Sequence, residues 1–152
     1  MIRFAFTLAT GIAFAFPALA AVDIQEVTSP GGIKAWLVEE HSIPFTALEI
    51  RFKGGASLDA EGKRGAINLM SGLLDEGAGD LDSRAFSAAR ENLAASIRFN
   101  ASDDAVSVSA RFLTENRAQA VDLIRMAVTE PRFDEDAIDR VRGQVPVSYT
   151  HL

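Results

Sequence analysis

From residue 48 to 53 the chain alternates strictly: Leu48, Ile50 and Phe52 are apolar, and Glu49, Arg51 and Lys53 between them are charged. A period of two predicts a strand with one buried and one wet face. The same pattern returns later, where Val106, Val108, Ala110 and Phe112 alternate with Ser107, Ser109 and Arg111. Residues 96–100 read as the strand before it, with a hairpin turn around Asp103-Asp104. Residues 33–40 read as a further strand after the turn cluster Ser29-Pro30-Gly31-Gly32, and His41-Ser42-Ile43-Pro44 connects it onward.

Between these strands the period changes. Gly54-Gly55 breaks the first alternating run, and residues 59–65 form a polar loop. Ile67, Met70, Leu73 and Leu74 then fall at helical spacing, which predicts a helix ending at Gly77 and Gly79. Asp82 or Ser83 is placed to cap a second helix running to about residue 95. Thr114 is placed to cap a longer helix with the apolar stripe Ala120, Leu123, Ile124, Ala127 and Val128, stopped by Pro131. Asp134 is placed to cap a last helix, with Glu135 and Asp136 in its electropositive first turn. The order strand, strand, helix, helix occurs twice. It predicts an α+β fold, an antiparallel sheet with helices packed on one face.

Residues 1–20 follow another logic. Arg3 precedes a mostly apolar run that Pro17 ends, and Ala18-Leu19-Ala20 has the small-x-small form of a signal-peptidase site. The run is short for a bilayer-spanning helix, so the expectation is export to the periplasm or outside, with cleavage near Ala20 and no stable membrane span. Removing that segment takes away Arg3 and no acid, which leaves 14 basic against 21 acidic residues and a net charge of −7. Such a balance, with no basic stripe, speaks against a nucleic-acid partner. An exported chain with no cysteine must be stabilised by packing rather than by disulfides. At the other end residues 146–152 show no helical pattern and read as a foreign tail. The domain reading is therefore 1–20 signal peptide, 21–145 an incomplete domain, and 146–152 tail.

Histidine count restricts the chemistry. Only His41 and His151 are present, and His151 falls in the tail. A hydrolytic zinc site needs two or three His or Cys ligands, usually with a carboxylate, so this chain cannot build one alone. His41 in a proline-containing connection, with no nucleophile elbow around any serine, gives no support for a Ser-His-Asp triad. The acidic clusters Asp75-Glu76, Asp80-Leu81-Asp82 and Asp103-Asp104 lack the spacing of a calcium loop and read as solvated loop charges.

One segment carries a resemblance. Phe52-Lys53-Gly54-Gly55-Ala56-Ser57-Leu58-Asp59, followed by Glu61-Gly62-Lys63-Arg64-Gly65-Ala66, resembles the approach to the catalytic helix of pitrilysin/insulinase-type zinc peptidases, including the mitochondrial processing peptidases. In active members the helix carries H-x-x-E-H, whose two His bind zinc and whose Glu is the general base. Here Asn68, Ser71 and Gly72 stand at those three positions. The resemblance extends over about residues 33–144. It implies one pitrilysin-type half-domain, truncated, and implies that Asn100, Ala101 and Ser102 match the strand that pairs with extended substrate. The family's third zinc-binding Glu is expected from residue 145 onward.

The resemblance thus implies no catalytic and no metal-binding residue in this chain. It implies a non-catalytic subunit, exported, that pairs as a heterodimer with an active zinc-peptidase relative and helps enclose unfolded peptides for proteolysis. Zinc is then expected in the active partner. The alternative is a stand-alone peptide-binding or structural protein that adds a peptide strand without hydrolysis. An active metallopeptidase would need ligands from outside these residues.

Overall fold

A computed structural model describes residues 23–144. The segment 1–20, expected to direct export, and the expected tail at 146–152, with His151, lie outside the described residues. The chain divides into two units, 1–41 and 42–152. In the first, β1 (Gln25–Thr28) pairs antiparallel with β2 (Lys34–Leu37), with Glu26 opposite Trp36. Ser29 builds the turn, its hydroxyl accepting from the Ile33 N–H at 3.0 Å. The predicted strand at 33–40 is thus shorter, and β1 gives no alternating signal of its own.

The second unit is built around a three-stranded antiparallel sheet of β3 (Phe45–Lys53), β6 (Ser96–Ala101) and β7 (Ala105–Leu113), in the order β3-β7-β6. Its register sets Ile50 opposite Val108 and Leu48 opposite Ala110, so the two alternating runs bury the same face. On that face pack α2 (Ser83–Asn92) through Phe86, and α3 (Arg117–Thr129) through Ala120, Leu123, Ile124 and Ala127. The α+β arrangement with helices on one face of an antiparallel sheet is therefore the observed one. Phe52, at the end of β3, is an exception to its pattern and stays exposed.

Three local expectations are corrected. The helix expected to run to Gly77 is α1 (Ala66–Ser71), which stops at Gly72; Leu73 and Leu74 are buried beyond its end. A two-residue hairpin, β4 (Gly77–Ala78) with β5 (Leu81–Asp82), occupies the next stretch, and its glycines at φ 131° and 54° turn the chain rather than cap a helix. Thr114 begins a 3-10 turn, 114–116, and α3 starts only at Arg117 with no side-chain cap. By contrast Asp82 caps α2, accepting from the Ala85 N–H at 2.8 Å. Before α4 (Glu135–Gln144), the Asp134 carbonyl accepts from Ile138 N–H and its carboxylate binds Arg132.

Candidate functional site

The glycine-rich segment after β3 is a clamp. Gly54, Ala56 and Ser57 donate their N–H groups to the carbonyls of Asp104, Ser102 and Asp103, at 2.8, 2.8 and 3.1 Å. Gly55 must be glycine, because a Cβ there would stand 2.0 Å from the Ser102 carbonyl oxygen. The end of β3 is thereby fixed to the turn between β6 and β7. From the clamp the chain reaches α1 through Asp59, whose carboxylate accepts from Gly65 N–H at 2.6 Å and Ile67 N–H at 3.0 Å. Those donors are unsatisfied by the helix itself, so Asp59 anchors its first turn.

Asn68, Ser71 and Gly72 occupy the last turn and end of α1. The Ser71 hydroxyl is buried and donates to the Asn68 carbonyl at 3.1 Å, and Gly72 N–H donates to the same oxygen at 3.0 Å. Gly72 faces α4: a Cβ on it would lie 3.1 Å from Val141 Cγ1. This donor set does not fit zinc. It offers no imidazole or carboxylate, its hydroxyl is engaged in the helix, and its third position has no side chain. Among the described residues no three His, Cys, Asp or Glu side chains are grouped to hold a metal ion. His41 lies in the first unit, 3.8 Å from Glu39.

Ser71 and Gly72 open onto a cleft of about 400 Å³ whose other wall is β6, residues 96–100. Asn100 therefore shares this cleft with two of the three motif positions. Ala101 ends β6, whereas Ser102 sits in the turn, with its N–H, carbonyl and hydroxyl all bonded to Ala105 or Ala56. Among the described strands β6 has a neighbour only on its β7 side. Its other backbone edge is a template for strand addition.

The cleft floor holds a pair that the sequence did not single out, Asp75 with Arg90 at 3.4 Å. Burial pushes the Asp75 carboxyl up, against the pull of the Arg90 guanidinium. Next to it Glu76 accepts from the Ser83 hydroxyl at 2.6 Å and from Arg140. Burial works against its ionised form, but these donors outweigh it and hold its carboxyl below the ordinary range. Asp75 and Glu76 are thus ion-pair members rather than solvated loop charges. Their partners are 15 and 64 residues away, a separation that no local pattern encodes.

The sequence profile described as Insulinase (Peptidase family M16) matches residues 34–151. The chain belongs to the insulinase family. A curated relative, the non-peptidase homolog YmxG of Helicobacter pylori, is 26% identical over 145 residues, which is 95% of this chain and 33% of the relative. The crystal structure of a peptidase M16 inactive domain from Pseudomonas fluorescens superposes with a TM-score of 0.74 at 28% identity, covering 81% of this chain and 30% of that one. Pitrilysin itself, at 16% identity and a TM-score of 0.69 over 84% of this chain and 14% of its own, shows the shared insulinase-family fold. The chain thus spans about a third of the length of the curated relative it matches. The insulinase-family resemblance drawn from the sequence is the correct family assignment.

Proposed function

We propose that this chain is a non-catalytic insulinase-family subunit, exported from the cytoplasm, that helps an active relative hold unfolded peptides. One observation carries the reading: a cleft of about 400 Å³ lies between the end of α1 and the edge of β6, and Ser71 and Gly72 line it where the resemblance places a general-base Glu and a zinc-binding His. An extended peptide added to β6 gains main-chain hydrogen bonds without any metal chemistry. Zinc and the general base then belong to the active partner. Two relatives, a non-peptidase homolog and an inactive M16 domain, support the same reading.

The test is cleavage of an unstructured fluorogenic peptide by the full chain, alone and mixed with a family member that retains H-x-x-E-H. Cleavage that rises above the active member's own rate only in the mixture, and that a chelator abolishes, is the expected result. Chelator-sensitive cleavage by the chain alone overturns the proposal. Peptide binding with no effect on any partner's rate would instead establish the stand-alone binding protein.

A further inference from the structure

The sheet face turned away from the helices is basic. Cross-strand register sets Arg98 of β6 opposite Ser109, Asn100 opposite Ser107, and Ser96 opposite Arg111. On the far side of β7, Glu49 lies opposite Ser109 and Arg51 opposite Ser107, with Lys53 at the strand end. Arg51, Lys53, Arg98 and Arg111 are all exposed, and none of them forms an ion pair among the described residues. Arg111 lies over the Phe45 ring at 5.1 Å. Among the described residues of these three strands, the one acid on this face, Glu49, is engaged by the Ser109 hydroxyl. A chain of net charge −6 therefore gathers four cations without ion-pair partners on one side of its open sheet.

Arg98 is the member that matters for a ligand, because it lines both the hollow on this face and the cleft beside the free edge of β6. A peptide added to that edge places alternate side chains on the two faces of the sheet. One set falls beside Ile97, Phe99 and the α1 side of the cleft. The other falls beside Ser96, Arg98 and Asn100, under the field of these arginines. The other two charges lining the cleft, Asp75 and Arg90, are already paired with each other.

We infer that the peptides held at β6 are acidic ones, with a Glu or Asp at alternate positions facing Arg98 and apolar residues between. This deepens the proposed peptide-holding function and rests on it. Opposite charges directly across two strands attract and like charges repel, so the surface both selects acidic segments and rejects basic ones.

Three fluorescently labelled peptides with Val at every second position and Glu, Gln or Lys at the others test this on the full chain by anisotropy. The expected order of affinity is Glu, then Gln, then Lys, with about tenfold between the extremes at low salt. That gap should close as salt screens exposed charges. Arg98→Gln should flatten the order, and Arg98→Glu should reverse it. Equal binding of all three peptides overturns the acidic preference and leaves strand addition standing, as does a loss in Arg98→Glu shared equally by all three. Failure of every peptide to bind, the Gln peptide included, overturns the inference together with the reading beneath it.

Discussion

Gly72 has no side chain, and the space a Cβ would take is already bordered by Val141. Its backbone is right-handed at φ −72°, so a side chain here is opposed by packing against Val141 rather than by conformation. The cluster at this seam, Leu73, Ala137 and Val141, is a small second core joining the end of α1 to α4. Gly72→His, which would restore one motif residue, forces an imidazole into that seam. We expect a loss of about 1–3 kcal/mol, the usual cost of overpacking, read as a lower urea midpoint with an unchanged slope. Ser71 shows the same adaptation: buried, it turns its hydroxyl onto its own helix and leaves no polar atom unsatisfied. Ser71 and Gly72 thus both serve the packing of the fold.

At the scale of elements, the short α1 is held from outside, since six residues are too few to be stable alone. Asp59 fixes its start, and Asp75 and Glu76, just beyond its end, tie the chain there to α2 and α4. Glu76 joins three pieces, lying between Ser83 at the start of α2 and Arg140 on α4. Because its folded carboxyl sits below the unfolded value, the unfolded chain binds more protons between the two. The stability it contributes is present above the unfolded value and is lost as pH falls through the folded one. Asp75, raised by burial, acts in the reverse sense: its ionisation costs stability as pH rises. Glu76→Gln is expected to cost about 1–3 kcal/mol at neutral pH, the worth of charge-assisted hydrogen bonds. It should also lose less stability on acidification to about pH 4 than the parent does. Melting temperatures measured across that range check both halves.

Over the whole molecule, one apolar layer carries the second unit. Phe86 from α2, Ile97 and Phe112 from the sheet, and Ile124 from α3 are all buried in a single cluster. Phe86 is 0% exposed, so Phe86→Ala leaves a cavity that the strands cannot follow. A loss of about 3–5 kcal/mol is expected, a large share of a normal domain's stability, measured by chemical denaturation. The same layer gives the site its form. With the helices covering one face, the other face and the β6 edge are left for a ligand.

Local sequence pattern was enough for the sheet face, the helix stripe of α3, the hairpin between β6 and β7 and the absence of H-x-x-E-H. Each is written in residues a few positions apart, where period two, period 3.6 or the identity of three side chains is enough. It overran α1, because Leu73 and Leu74 keep a helical spacing although tertiary burial, not helix, places them. Thr114 misled for a related reason: a good capping residue was used in a 3-10 turn. That β6 is an edge among the described strands, that Asp75 meets Arg90, and that Arg51, Arg98 and Arg111 share one face came from the folded arrangement. Strand order, ion pairs and charge gathering join residues far apart in the chain, and they exist only once the core has fixed the register.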